Sequence, residues 1–383
     1  MVARGVSWKV GKVFFHDDLV YRFDLLPEAH HKMPAMVNLQ QYYVEQTLVD
    51  ACEAHPSITV GWKHKLVALQ QQADHARLTV ETPDGRYELL ADWVVACDGA
   101  RSELRQMCGL RMEGASYEGR FVIADIRVDL PLPTERLAFF DPDWNPGNTI
   151  LMHREPHGIW RVDYQLPAGE SPDDALRPES LRARIDAQLA MIGHAGAPWE
   201  MDWCSVYSAR AMTLPRYVSG RVIFTGDAAH LLPIFGVRGA NTGWQDAQGL
   251  AWRLAFVVNG VAHETLLQSY SSERVAAAWE IIDEAGKSTR FMTPPTRGFR
   301  LLRDAVLSLS LSQPFVGPLY HWRTSRPHEY ADSRLNSPGD DNLLFKTGPG
   351  HGAPAASRPA RARLPGSGTP GGGATLPKPS RYT

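Results

Sequence analysis

The sequence predicts a mixed α/β fold in which two separated segments build one helix-covered domain, with a mostly antiparallel sheet inserted between them. Three observations carry this. The runs WVVAC (93–97) and RVIFT (221–225) are short, apolar and β-prone, and each stops at an acidic/glycine pair, Asp98-Gly99 and Gly226-Asp227. Between 112 and 204, apolar residues alternate in short runs such as FVIADIRV, RLAFFD, NTILMHRE and GIWRVDYQL, the pattern of strands with one buried face. After 241 the apolar period becomes helical, over roughly 241–258 and 264–287, with a further helix over 296–310.

Taken in order, residues 6–27 predict two or three strands, VSWKVGKVFF and then LVYRFDLL after the HDD turn. The opening MVARGVSWKVGKVFF has no signal-peptide apolar core and enters the alternating pattern at once, as if already inside a domain. A helix is predicted over 38–54, with Asn38 as N-cap and Leu39, Tyr43, Thr47, Leu48, Ala51 and Cys52 near helical spacing. ITVGW, KLVALQQQ, ARLTVET and YELLAD follow as strands, and WVVAC as a strand buried on both faces. PESLRARIDAQLAMIG is the one helical stretch inside the inserted sheet. The expected division is 1–111 for the first domain segment, 112–204 for the sheet and 205–290 for the second domain segment. A helical segment follows over 291–345, then a tail over 346–383. That tail is Gly, Pro, Ala, Ser and Arg with few large apolar residues, so it is expected to be disordered. Its formal GxGxxG match, Gly366 to Gly371, follows no strand and sits among prolines, so it fails the context of a dinucleotide loop.

Composition removes several function classes. Lys and Arg total 40 against 42 Asp and Glu, which gives no support for a nucleic-acid or polybasic membrane surface. The four cysteines, 52, 97, 108 and 204, form no CxxC pair, and the fourteen histidines show no HExxH, so neither a disulfide framework nor a metal site is expected. No run of eighteen apolar residues predicts a membrane span, and a cytoplasmic protein is the expectation.

The densest chemistry lies in GDAAHLLPIFGVRGANTGWQDA, Gly226 to Ala247. A buried strand delivers Gly226-Asp227 at its carboxyl end, where ligands sit in open α/β sheets. Gly226 permits close backbone approach, and Asp227 offers an acceptor to a sugar or polyol hydroxyl. Pro233, Gly236 and Gly239 shape a loop that opens a helix near Asn241-Thr242. The free N–H groups there present positive charge to an anion or an electron-rich carbonyl, and Arg238 adds a fixed cation. A Gly/Pro turn between a core strand and a core helix explains any single one of these residues, but not the whole block. A second constellation is DWVVACDGARSELR, Asp92 to Arg105, in which Ser102 caps a short helix carrying Arg105. A third is VNLQQYYVEQTL from Val37, with a polar pair, Gln40 and Gln41, at a helix start.

These three blocks, in their order along the chain from Val37 through Asp92 to Gly226, resemble the class A FAD-dependent aromatic monooxygenases, the p-hydroxybenzoate and 3-(3-hydroxyphenyl)propionate hydroxylase type. The resemblance implies an incomplete FAD-binding Rossmann-like domain with an inserted, mostly antiparallel substrate-binding sheet. It implies FAD as cofactor, NAD(P)H as transient reductant, and a flavin C4a-hydroperoxide that hydroxylates a small phenolic substrate with O2. By the same resemblance, cofactor contacts fall to Gln41 (with Gln40 as the alternative), Asp98, Gly99, Arg105, Gly226, Asp227, Gly236, Gly239, Ala240 and Asn241. The resemblance also implies that Pro233 lies beside the reactive edge of the flavin and that Arg238 attracts hydride donor and substrate anions. His230 is expected to be a hydrogen-bonded structural residue. Tyr270, Glu273 and Arg274 are expected in packing and ion pairs, and Trp160, Tyr164 and Phe235 in the core or in a substrate cavity.

The resemblance covers about residues 5–340, and nothing before Gln41 matches the strand–GxGxxG–helix unit with which that family begins. A mis-called start, a true truncation and complementation by a separate N-terminal chain all account for this. A homodimer and that complementing chain are the partners left open. Two rival functions follow: a fragment without catalysis of its own, and another flavin oxidoreductase on the same fold. Among the latter, a halogenase is disfavoured because no WxWxIP stretch occurs.

Overall fold

The computed structural model describes residues 1–25, 32–233, 235, 237–319 and 328–336; the predicted tail and Gly236 lie outside the described residues. The first elements are β1 (Val6–Trp8), β2 (Val10–Phe15), β3 (Asp18–Asp24), β4 (Met36–Asn38) and α1 (Gln41–Glu53). Then come β5 (Lys65–Gln71), β6 (Ala76–Thr82), β7 (Gly85–Ala91), β8 (Val94–Ala96) and α2 (Glu103–Met107). The middle of the chain gives β9 (Glu113–Val128), β10 (Arg136–Phe140), β11 (Thr149–Arg154), β12 (Ile159–Gln165), α3 (Pro172–Ala175), α4 (Pro178–Met191) and β13 (Trp199–Thr213). The last are β14 (Val218–Ser219), β15 (Val222–Phe224), β16 (His230–Leu231), α5 (Gly239–Val258), α6 (Leu266–Met292) and α7 (Arg297–Ser310).

The mixed α/β class is borne out. An eight-stranded sheet runs β16-β13-β9-β12-β11-β10-β2-β3, and smaller sheets run β14-β15-β8, β5-β6-β7 and β1-β4. All pairings in the large sheet are antiparallel except β10 with β2, where Arg136 faces Gly11 and Phe140 faces Phe15. Strands near the N-terminus therefore hydrogen-bond with strands of the 112–204 stretch.

Strand alternation gives the large sheet two faces. Val122, Ala124, Ile126, Ile150, Met152, Trp160, Val162 and Tyr164 lie under Leu181, Ile185 and Leu189 of α4. Full burial of one such side chain stabilises by about 1.5–3 kcal/mol. This face absorbs Trp160 and Tyr164 as core. On the opposite face, Phe121 and Leu151 cluster with Phe235 from the loop after Gly226-Asp227, the two phenyl rings meeting edge-on at 5.4 Å. Val13, Phe15 and Phe140 on that face pack against Phe291 of α6 and Val306 and Leu307 of α7. A separate core joins β8, β14 and β15 to α5 and α6 through Ala96, Val222, Ile223, Phe224, Leu250, Leu267 and Tyr270.

Three local expectations are corrected, the first being ITVGW (58–62), which forms no strand because it falls in the connection between α1 and β5. The first long helix starts at Gln41, with Gln40 as its N-cap and no side-chain cap bond. Asn38 does not cap it because it belongs to β4, where its Oδ1 accepts from Trp8 Nε1 at 2.8 Å and its Nδ2 donates to the Arg154 carbonyl at 2.8 Å. The strand in WVVAC is not buried on both faces. Val95 is 38% exposed, because β8 pairs only with β15 among the described strands and its outward face is uncovered.

Candidate functional site

The two Gly/Asp turns lie side by side because the strands that deliver them are neighbours. β8 and β15 are parallel, with Ala96 opposite Phe224, and Thr225 N donates to the Ala96 carbonyl at 3.1 Å. Both turns therefore leave the same carboxyl edge. Gly99 and Gly226 both adopt positive φ, 75° and 56°, the left-handed region that a Cβ penalises. Arg105 ties the turns together: Nη1 donates to the Ala228 carbonyl at 3.0 Å and Nη2 to the Ala100 carbonyl at 2.7 Å.

The two carboxylates face different tasks. Asp98 serves its own turn, accepting from Ser102 Oγ at 2.6 Å and from Leu104 N at 3.0 Å, while Ser102 caps α2 by accepting from Arg105 N at 2.9 Å. Asp227 is exposed, and no described residue donates a hydrogen bond to its carboxylate. Crowding by the surrounding protein pushes that carboxyl above its ordinary value, with His230 pulling the other way.

Beyond the turn, Pro233 is buried and Phe235 reaches the large sheet. Arg238 precedes α5 as its N-cap. Its guanidinium is held below its ordinary value by burial, which Glu280 and Glu284 partly offset. Gly239, Ala240 and Asn241 form the first turn of α5, where a Cβ on Gly239 would meet no atom within 4 Å. Asn241 Nδ2 donates to the Val237 carbonyl at 2.7 Å, bracing the residue that enters the helix at φ 57°. Helix-start N–H groups have no intrahelical acceptor, so this end presents positive charge. Gln41 is exposed and donates to Glu45 at 2.7 Å; Gln40 is buried against the Pro156 carbonyl at 3.4 Å, with its Oε1 unpartnered. A cleft of about 670 Å³ opens elsewhere, between Phe14, Phe139 and Met191, and none of these motif residues lines it.

A sequence profile described as "FAD binding domain" matches residues 3–285. The chain belongs to this FAD-binding family. It is 34% identical over 278 residues to a 3-(3-hydroxy-phenyl)propionate/3-hydroxycinnamic acid hydroxylase of Burkholderia cenocepacia (strain HI2424), covering 72% of this chain and 49% of that one. It is 30% identical over 267 residues to the enzyme of the same name in Escherichia coli (strain K12), covering 70% and 47%. The chain thus spans about half the length of the curated relatives it matches. In fold it resembles p-nitrophenol 4-monooxygenase PnpA from Pseudomonas putida DLL-E4 (TM-score 0.69, 24% identity, 82% of this chain and 79% of that one). It also resembles the flavin-dependent monooxygenase PieE (TM-score 0.70, 20% identity, 92% and 69%). The expected kinship with class A FAD-dependent aromatic monooxygenases, and FAD as cofactor, are borne out.

The residues present fit part of FAD. An exposed, unengaged carboxylate, two left-handed glycines and an open helix start converge on one strand edge, which suits a polyhydroxylated chain beside an electron-rich ring. Sequence reading missed the residue that organises this edge, Asp246. It is fully buried on α5, and it accepts from Gly226 N at 3.1 Å and His230 Nε2 at 2.6 Å through Oδ2 and from Arg274 Nε at 2.6 Å through Oδ1. Burial works against its charge, but His230 and Arg274 outweigh that and hold the carboxyl below its ordinary value. A signal existed: Asp246 lies at helical spacing between Thr242 and Leu250, a charge on the buried stripe of the helix. His230 and Arg274 take the structural roles expected of them, as do Tyr270, whose hydroxyl donates to the Phe224 carbonyl at 2.9 Å, and Glu273, paired with Arg253.

Proposed function

We propose that this chain is the larger part of an FAD-dependent, NAD(P)H-consuming hydroxylase of phenolic rings. The observation that carries the reading is the adjacency of the Asp98-Gly99 and Gly226-Asp227 turns on parallel strands, locked by Arg105. Asp227 accepts hydroxyl donors of the cofactor's ribityl or ribose portion. The start of α5 at Gly239, Ala240 and Asn241 faces its pyrimidine end and stabilises negative charge there, with Arg238 strengthening the field. Pro233 borders the reacting edge, and the sheet face carrying Phe121 and Leu151 closes over Phe235 and keeps water from the ring. Asp98, Gly99 and Arg105 shape the edge from the other turn. When bound, FAD supplies the electron transfer and oxygen activation; the protein supplies binding, orientation and electrostatics. The relatives are hydroxylases of phenolic acids, which supports a phenolic acid as substrate here.

The test is direct. Purified chain is titrated with FAD and then supplied with NADH or NADPH, 3-(3-hydroxyphenyl)propionate and 18O-labelled oxygen. Labelled catechol product is the expected result. A correctly folded chain that leaves FAD fluorescence unchanged at 100 μM protein rules out catalysis by this chain alone.

A specific observation favours a second reading, in which catalysis needs a further polypeptide segment to complete the site. α1 has no buried residue along its thirteen, and its Tyr42 is 51% exposed. Val95 on β8 and Trp244, Trp252 and Phe256 on α5 are also exposed. Uncovered large apolar side chains on these elements are what a covering segment would bury. A βαβ unit supplied in trans would pair with β8 and restore FAD uptake; failure of such a unit to bind argues against this reading.

A further inference from the structure

We propose that Asp246 is a positioning residue for the Gly226-Asp227 turn, and that Arg274 and Tyr330 extend its hold to the segment 328–336 lying along α6. The functional consequence rests on the flavin reading above; the geometry does not.

Both oxygens of Asp246 are engaged, and from three directions: the turn (Gly226 N), β16 (His230) and α6 (Arg274). The carboxylate thus holds the one backbone N–H that immediately precedes Asp227, in a glycine whose left-handed conformation has no side chain of its own to fix it. The opposing faces are close: a Cβ on Gly243 of α5 would lie 3.7 Å from the Gly226 Cα.

Arg274 is fully engaged in turn. Beyond its Nε bond to Asp246, Nη1 donates to the Tyr330 hydroxyl at 2.6 Å, and Nη2 reaches the Thr242 carbonyl and Gln245 Oε1 at 3.4 Å each. Thr242 and Gln245 belong to the first two turns of α5, so Arg274 braces the helix start as well as Asp246. Segment 328–336 is separately tied to α6: Ser333 Oγ donates to Glu273 Oε1, and His328 bonds Glu280. Tyr330 is therefore the point at which that segment touches the relay, and Ser333 a point at which it is anchored without touching it. The Arg253–Glu273 pair also bridges α5 and α6, yet among the described residues Arg253 bonds Gly249, Ser269 and Glu273 and meets neither turn.

The test uses the full chain with Tyr330→Phe, Ser333→Ala, Asp246→Asn and Arg253→Lys. Two readouts are taken: amide exchange of peptides covering 222–230 by mass spectrometry, and the Kd for FAD by fluorescence quenching. Loss of a hydrogen bond to a charged group is expected to change each by about tenfold in Tyr330→Phe. Asp246→Asn should move both further in the same direction, while Ser333→Ala and Arg253→Lys stay within about twofold on both. Equal effects of Tyr330→Phe and Ser333→Ala, or unchanged exchange at 222–230 in Tyr330→Phe, would overturn the proposal. Should exchange respond as expected while no form of the chain takes up FAD, the relay stands and the flavin reading falls. Should FAD bind equally to all forms with exchange unaltered, the relay falls and the flavin reading stands.

Discussion

Arg105 is the side chain whose removal should unlink the two turns. Arg105→Met keeps most of the aliphatic stem and deletes the fork that donates to Ala228 and Ala100. Ala228 is fully buried, so its carbonyl loses an acceptor's partner that water cannot replace; Ala100 is half-buried and can be rehydrated. Hydrogen bonds to a charged group are worth about 1.5–3 kcal/mol net, and leaving a buried acceptor empty costs about 1–3 kcal/mol. The Ala228 contact dominates, and the loss should be about 2–3 kcal/mol. For a chain of this size that corresponds to a fall in Tm on the order of 5 °C. Arg105→Lys, which keeps the charge but can reach only one carbonyl, should recover about half of it. Differential scanning calorimetry with and without FAD reads both effects, since a cofactor that binds only the folded state adds stability in proportion to its affinity. If Arg105→Met melts within about 1 °C of the parent and retains its FAD-induced shift, the bridge is incidental and the adjacency of the turns needs another cause.

Three further outcomes are expected. Asp227→Ala should leave Tm within about 1 °C, because the residue is exposed and unbonded, yet weaken FAD about tenfold or more in a fluorescence titration. Glu155 is pushed up to about 7 by burial, with Arg161 pulling down and Asp125 pushing up. Its raised value in the fold favours the protonated form, so stability is full below the ordinary carboxylate range and is lost as pH rises towards 7. Urea midpoints of Glu155→Gln across pH 4.5–7.5 should lack a decline that amounts to at most about 3 kcal/mol in the parent. Amides of residues 41–53 should exchange within seconds in the isolated chain, since α1 buries nothing, and become protected only when another polypeptide covers it; slow exchange in the isolated chain would contradict this.

What was legible in the sequence was local: strand ends, caps and the glycines of the turns. WVVAC and RVIFT announced strands by β-propensity, and their acidic/glycine endings announced turns at a carboxyl edge. The parallel pairing of β8 with β15 was not legible, since neither short apolar run names its partner. The cap at Ser102 was readable because capping is a contact over three residues. The start of α1 was misjudged for the opposite reason. Asn38 is a good cap in isolation, but bonds to Trp8 and to the Arg154 carbonyl, 116 residues away, hold it in a strand. The parallel contact of β2 with β10 was invisible for the same cause, since nothing in a six-residue alternation names a partner some 125 positions on. Asp246 was the instructive omission. It lies within the Gly226–Ala247 stretch, but the glycines and Asp227 there drew the eye from a carboxylate lying on the buried stripe of its helix.

The two acidic/glycine turns look like mirror copies in sequence, and the structure explains why only one leaves its carboxylate open. At the first turn Asp98 must satisfy the start of α2 itself: it takes the Leu104 N–H and the Ser102 hydroxyl, which no other described side chain reaches. At the second turn the N–H of Gly226, the residue just before the acidic one, is taken by Asp246 from the neighbouring helix. Asp227 accepts no hydrogen bond from a described residue and is exposed. Behind the exposed carboxylate of this turn thus stands a second, buried one that holds the adjoining glycine. That buried charge is tolerable only because Arg274 and His230 neutralise and bond it. On this reasoning Asp246→Asn and Asp227→Ala should not be additive in FAD affinity. The amide side chain would let Gly226 relax and Asp227 wander, so most of what Asp227→Ala removes would already be gone; a double variant whose losses sum fully would show that the two carboxylates act independently.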